Sequence, residues 1–183
     1  LFVVGATASA AVKAVAPGAG DTVVVSGAAG GVGSLAVQLA RRAGATVIGL
    51  ASEPNHQWLS DHGVVPVTYG DGVADRIREA AGGPVDAFID TVGGGYVELA
   101  LEHGVAPERI DTIADFEAGS KYGVKTDGNA VGASAQTMAE LAALIDRGEL
   151  EVPIARVYPL DQVRDAYREL ERNHTHGKIV LTP

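Results

Sequence analysis

The residues from Gly27 to Gly33 read GAAGGVG, a turn with almost no side chains set directly after an apolar run. Gly27, Gly30, Gly31 and Gly33, with Ala28 and Val32 among them, leave backbone N–H groups open to an approaching group. A helix that starts at such a turn adds the positive end of its dipole, which suits the binding of a pyrophosphate. The expected ligand is a dinucleotide. Ala28 stands at the first glycine of the G-x-G-x-x-G pattern, and glycines alone are weak evidence, so the alternative is a tight turn that holds no ligand. The flanking residues favour the ligand. Thr22 to Val25 form a β-branched run suited to a strand buried on both faces, and Leu35, Val37, Leu39 and Ala40 then recur at helical spacing up to Arg41 and Arg42. A second apolar run, 46–50, follows Gly44 at the distance of a βαβ unit.

The end of that second run bears on which nucleotide. In dinucleotide folds the second strand ends in Asp or Glu about 20 residues past the glycines, where the carboxylate binds the ribose 2′-hydroxyl of NAD and repels a 2′-phosphate. Here the run ends in Ala51 and Ser52. Ser52 offers a small hydroxyl, the helix expected after it offers N–H groups, and His56 offers a partial or full positive charge. These favour NADP. Glu53 close by opposes it, as does the absence of Lys and Arg between Arg42 and Arg76, and His56 reads equally as an exposed helix residue.

Other groupings carry less. His174 and His176 lie close together, but with no Cys or carboxylate in register no metal is assigned. Asp86 and Asp90 share one strand face at its opposite ends, too far apart for paired acid–base work. Tyr122 and Lys125 stand three apart, one short of the Tyr-x-x-x-Lys spacing, which opposes a self-contained short-chain dehydrogenase. No catalytic acid is assigned. Hydride transfer is the cofactor's own chemistry, and a proton can come from water.

Positioning this turn requires the rest of the chain. Helices are expected over 4–15, 53–62 (with Ser52 as N-cap), 72–81, 94–103 and 133–147, and strands over 64–69, 85–89 and 109–114. Strands alternating with helices imply a doubly wound parallel sheet, an α/β fold. The stretch 122–132 has no clear pattern and is expected as a loop near the cofactor edge. After Gly148 the rhythm changes to a strand over 152–158, a helix from 160 to about 172 and a strand over 178–181, a tail that need not join the same sheet.

The chain has 183 residues with 14 Lys+Arg against 23 Asp+Glu, a net charge of −9, and no basic cluster larger than Arg41-Arg42. Nucleic acid and anionic membrane surfaces are therefore not expected partners. Cysteine is absent, which excludes disulfides and thiolate metal sites within these residues. The apolar opening, 1–16, is broken by Gly5, Thr7, Ser9 and Lys13, too short and too polar to span a bilayer, and no signal peptide is read. The expected location is the cytoplasm. The start at Leu1, directly in apolar sequence, leads to the expectation of a piece of a longer chain.

Three stretches carry a family resemblance: GDTVVVSGAAGGVGSLAVQLARRAGATVIG, VDAFIDTVGG and the ending HTHGKIVLTP. Together they resemble the medium-chain dehydrogenase/reductase superfamily, in its zinc-free quinone oxidoreductase (zeta-crystallin-like) and enoyl reductase branch, over nearly the whole chain. The resemblance implies an NADPH-dependent reductase acting on a small molecule, a quinone or the activated C=C bond of an enone. It maps the 2′-phosphate contacts onto Ser52, His56 (where the family often has Lys) and Tyr69, and the nicotinamide wall onto Thr91, Val92, Ile113 and Ala114. Zinc-dependent relatives carry a Cys near the position of Phe2; with none here, neither of their zinc sites can be built. The resemblance also makes 1–150 a Rossmann domain and 151–183 the return segment of a GroES-like substrate domain. Most of that domain would be supplied by N-terminal sequence outside this chain, or the exposed face covered by a second copy in a homodimer. The rival expectation is a non-catalytic NADP(H)-binding module or subunit that needs a partner.

Overall fold

A strand that is apolar at every position must be covered on both faces, and Val23, Val24 and Val25 are all fully buried. The computed structural model, which describes residues 1–172 and 175–183, places them in β1 (Thr22–Val25), after α1 (Phe2–Val15) and before α2 (Gly33–Arg42) and β2 (Thr46–Leu50). His174 lies outside the described residues. Next come α3 (His56–Asp61), β3 (Val65–Val67), α4 (Val73–Ala81), β4 (Ala87–Asp90), α5 (Tyr96–Glu102) and β5 (Ile110–Thr112). The five strands form one parallel sheet in the order β3-β2-β1-β4-β5. This is the doubly wound architecture that the alternation of elements implies.

Alternation along β1 divides the core. Val23 and Val25 join Val47 and Ile89 under α1, α2 and α3, together with Leu141 and Leu144 of α8 (Ala135–Asp146). Val24 joins Ile48, Phe88 and Ile110 on the opposite face, under Ile77 of α4, Val97 of α5 and Ala118 of α6 (Phe116–Tyr122). Helix α1 comes close to its neighbours because it is built of small residues: a Cβ on Gly5 would stand 2.9 Å from Leu141 Cδ1. The tail forms β6 (Ile154–Pro159), α9 (Val163–Leu170) and β7 (Lys178–Thr182), with β6 and β7 paired in parallel as a separate two-stranded sheet.

Several expectations are corrected. The single helix over 53–62 is a 3-10 turn, Glu53–Asn55, followed by α3. Ser52 does not cap it through its side chain, because its Oγ accepts instead from Asn55 Nδ2 at 3.0 Å. Part of the stretch without a pattern is helical. Helix α6, just before it, is N-capped by Asp115, whose Oδ1 accepts from Ala118 N at 2.9 Å, and α7 (Asn129–Gly132) is a short helix seated against α1.

One buried acid sits on the α1 side of the sheet. Asp111 of β5 is fully buried; its Oδ1 accepts from Asp127 N at 2.7 Å, and its Oδ2 has no partner among the described residues. Lys125 spends its ammonium on Ala14 O at 2.5 Å, at the carbonyl end of α1. Burial pushes the Asp111 carboxyl up to about 6, because the charged form is poorly solvated there. The folded state thus holds this proton more tightly than the unfolded chain, and stability falls as pH rises from about 4 to about 6. Asp111→Asn should raise the unfolding free energy by roughly 1–3 kcal/mol at pH 8 and change it little at pH 4, measured by urea denaturation at both values.

Candidate functional site

From β1 the chain winds first to β2 on one side, and later to β4 on the other, so a crevice opens above the carboxyl ends of β1 and β4. Asp90, the last residue of β4, is fully buried and ties these ends together. Its Oδ1 accepts from Ser26 Oγ at 2.7 Å and from the Val92 and Gly93 amides at 3.0 Å each, and its Oδ2 accepts from Thr112 Oγ1 at 2.7 Å. Ser26 Oγ in turn accepts from Thr91 N at 2.8 Å, and Thr91 Oγ1 donates to Ser26 O at 2.7 Å. A carboxylate can stay buried here because every donor around it is aimed at it.

The glycine turn grows from this platform. Gly27 has φ +59°, and a Cβ on it would stand 2.6 Å from Thr91 Oγ1 and 2.8 Å from Val92 Cγ2. A Cβ on Gly33 would overlap the Gly27 carbonyl, so the turn folds back on itself only with glycine there. Gly30 N donates to Gly27 O at 2.8 Å, whereas the amides of Gly31, Val32 and Gly33 have no partner among the described residues. Gly31 and Val32 stand just before α2 and Gly33 is its first residue, where backbone donors lack intrahelical partners.

Above them lies a cavity of about 600 Å³. Gly27, Gly30, Gly31 and Val32 line its floor, Ser52 and Tyr69 one wall, and Thr91 and Val92 another. Ala28 and Gly33 are buried behind the turn, with Ala28 N donating to Leu50 O at 3.0 Å. His56 does not reach the cavity, since its Nε2 faces Ala51 O at 3.2 Å; Asn55 lines the wall instead. Ile113 packs into the core beside α1, and the exposed Ala114 also lies outside the lining. Sequence reasoning missed Asn55, Thr175 and Lys178, all of which line the cavity. Asn55 was one residue from the predicted contact, while Thr175 and Lys178 lie in the ending that carries the family resemblance but were given no site role, and they arrive from the far end of the chain. The glycine cradle, the unspent amides and the crevice volume fit a dinucleotide.

A protein-family model described as zinc-binding dehydrogenase matches residues 60–181. The chain belongs to that family. It is the cofactor-binding part of a medium-chain dehydrogenase/reductase, an oxidoreductase superfamily of Rossmann type that uses nicotinamide cofactors. It is 29 % identical over 200 residues to the human synaptic vesicle membrane protein VAT-1 homolog, covering 90 % of this chain and 51 % of that protein. The quinone oxidoreductase from Coxiella burnetii superposes with a TM-score of 0.84 at 29 % identity, over 98 % of this chain and 58 % of that one. Mycobacterial Rv1454c, solved in complex with NADPH, superposes with a TM-score of 0.81 at 26 % identity, over 100 % of this chain and 63 % of that one. The chain thus spans only a little more than half the length of these relatives. The family description names zinc, but the 183 residues contain no cysteine and the described residues gather no three His, Asp or Glu side chains, so they do not fit a zinc site. Among the described residues no helix is long and apolar enough to cross a membrane.

The geometry makes Asp90 the keystone of this dehydrogenase cleft. Asp90→Ala would leave the Ser26 and Thr112 hydroxyls and two amides without their acceptor, at a cost of about 3 kcal/mol or more. Urea denaturation should show that loss, and a variant as stable as the parent would show that the network carries no weight.

Proposed function

We propose that the chain binds NADPH and forms the cofactor half of a reductase that passes hydride to a quinone or to the activated C=C bond of an enone. The observation that carries this reading is the wall beyond β2, where Ser52 and Asn55 line the cavity with no carboxylate among the lining residues. A 2′-phosphate meets hydroxyl and amide groups there, with the Tyr69 phenol close by, instead of a repelling charge. The NADPH complex of Rv1454c and the quinone oxidoreductase of Coxiella burnetii support it by likeness.

In this reading the nicotinamide, once bound, supplies the hydride. The chain supplies position. The amides of Gly31 and Val32, which line the cavity, take the pyrophosphate, and Thr91 and Val92 form the wall beside the nicotinamide. Thr91 is held there by its bond to Ser26 O, so it orients the ring and moves no proton. His56, turned toward Ala51 O, takes no part, and neither Ile113 nor Ala114 lines the cavity. Among the described residues no carboxylic acid or imidazole lines the cavity, so in this reading the proton for a developing enolate or quinol oxygen comes from water or from the substrate side.

We assign 1–150 to the cofactor domain and 151–183 to a segment that returns to a substrate domain. Ile154 and Val157 of β6, Leu160, and Tyr167 and Leu170 of α9 are all exposed, which supports a further partner surface on this unit. The rival reading is a binding module without catalysis.

Calorimetric titration separates these readings. NADPH should bind at least about ten-fold more tightly than NADH, and Ser52→Asp should weaken NADPH by about ten-fold or more while leaving NADH little changed, because a carboxylate then faces the 2′-phosphate. Binding of neither dinucleotide would overturn the cofactor reading. Binding without oxidation of NADPH by a benzoquinone or an enone would favour the non-catalytic module.

A further inference from the structure

The loop between β3 and α4, residues 68–72, carries Tyr69 to the cavity wall. Residues 69–72 are exposed, and Gly70 and Gly72 both have positive φ, +93° and +76°. A short exposed loop with two such glycines has many conformations open to it. One side chain gathers its carbonyls. Arg76 of α4 turns back over the loop, where its Nε donates to Thr68 O at 2.9 Å, its Nη1 to Asp71 O at 2.9 Å, and its Nη2 to Tyr69 O and Gly70 O at 3.3 Å each. Gly72 leaves room for this, since a Cβ there would stand 3.3 Å from Nη1. The planar fork of a guanidinium reaches all of these carbonyls at once, whereas an ammonium has too few donors and no fixed plane.

This placement does not serve the helix. A cation turned toward the amino end of α4 meets the positive end of its dipole, which is unfavourable. Nor does it serve an ion pair: the bond to residue 71 goes to the carbonyl and not to the carboxylate, and the ion pairs among the described residues leave Arg76 out. What the bonds fix is the backbone of Tyr69 and of the residues on either side of it. Arg76 is also the first Lys or Arg after Arg42, so the fold brings back to the wall the cation that the sequence between them lacks. We propose that Arg76 is a positioning residue for NADPH, bracing residues 68–71 so that Tyr69 stands ready at the wall where the 2′-phosphate binds, and thereby setting the preference for NADPH over NADH. This rests on the cofactor reading above and adds to it a residue that does not itself line the cavity. A loop already held in its bound form loses less conformational freedom when the ligand arrives.

The test is calorimetric titration with NADPH and, separately, NADH of the full chain, of Arg76→Met, Arg76→Lys and Tyr69→Phe, and of each arginine change combined with Tyr69→Phe. Arg76→Met should weaken NADPH by about five- to twenty-fold and NADH by less than about two-fold, so that NADH binding also reports the variant as folded. Arg76→Lys keeps the charge without the fork and should lose nearly as much NADPH affinity. In the Tyr69→Phe background neither arginine change should weaken NADPH by more than about two-fold further, because the phenol that Arg76 positions is gone. No loss in Arg76→Met, an equal loss of both dinucleotides, effects additive with Tyr69→Phe, or a Tyr69→Phe variant that binds NADPH unchanged would each overturn the proposal. Full recovery in Arg76→Lys would overturn it too, by assigning the effect to charge alone. Where Arg76→Met does not fold, the cycle of Arg76→Lys with Tyr69→Phe decides by the same outcomes. Failure of the unaltered chain to bind either dinucleotide, or to prefer NADPH, overturns the cofactor reading and this proposal together; a preference for NADPH that survives Arg76→Met overturns this one alone.

Discussion

A carboxylate with no counter-ion beside it can be buried only if hydrogen-bond donors replace its water, and Asp90 meets that condition with two hydroxyls and two amides. The donors come from the ends of β1 and β5 and from the loop after β4, so satisfying one side chain fixes the relative height of three strand ends. Parallel strands share no tight hairpins, and each crossover leaves the next strand free to slide until side chains lock it. Asp90 supplies that lock at the carboxyl edge, where the crevice lies. The position of Thr91 follows from it, and the position of Thr91 in turn leaves no room for a Cβ on Gly27. The form of the glycine turn is thus a consequence of the carboxylate behind it.

The tail is held to this platform by contacts of a different kind. Gln38 of α2 pairs with the backbone of Glu151 in both directions, its Nε2 donating to the carbonyl at 2.9 Å and its Oε1 accepting from the amide at 2.8 Å. Trp58 of α3 stacks on His62 at 4.1 Å between ring centroids and meets His176 edge-on at 4.8 Å, while Glu151 reaches His62 at 2.9 Å. Burial in this slot pushes the His176 imidazole below its ordinary range, so the ring packs there as a neutral, flat group. One helix, α2, therefore directs its amino end at the cavity and holds the tail through its side.

The central unit was legible because its signals are local. Thr22–Val25, the glycines, Leu35 to Arg42 and Thr46–Leu50 each carry their own periodicity, and the observed bounds of both strands match it. The flanking strands came out shorter than their apolar runs, because ladder pairing with one neighbour ends before the side-chain pattern does, as in Val65–Val67 at the sheet edge. Helix α6 was unreadable for a tertiary reason: Gly119 weakens the local helix signal, yet it is required because a Cβ there would stand 2.6 Å from Thr126 Cγ2. His56 and Asn55 are neighbours that only the break between the 3-10 turn and α3 could tell apart. Asp90 read as the end of a strand, since its donors are scattered from Ser26 to Thr112. Thr175 and Lys178 lie in the ending that carries the family resemblance, but they are joined to the site by chain topology and not by spacing, so their place at the cavity was not read.

The charge balance explains why such distant residues are used. A chain with nine surplus negative charges repels an anionic ligand at long range, but screening confines that repulsion to about 8 Å at physiological salt. Attraction must then be built at contact. Many cations are committed elsewhere: Arg42 and Arg147 to Glu149, Arg109 to Asp21, Arg78 to Asp75 and Glu102, and Arg156 to Glu169. What the cavity offers is backbone amides at a helix start, which carry partial charge without a mobile side chain, and one ammonium brought in from the tail. Amides fixed by the fold need little reorganisation when an anion arrives, so their effect grows as water is displaced. A site of this kind is only as good as the rigidity of its floor, and that rigidity leads back to the buried carboxylate beneath the turn.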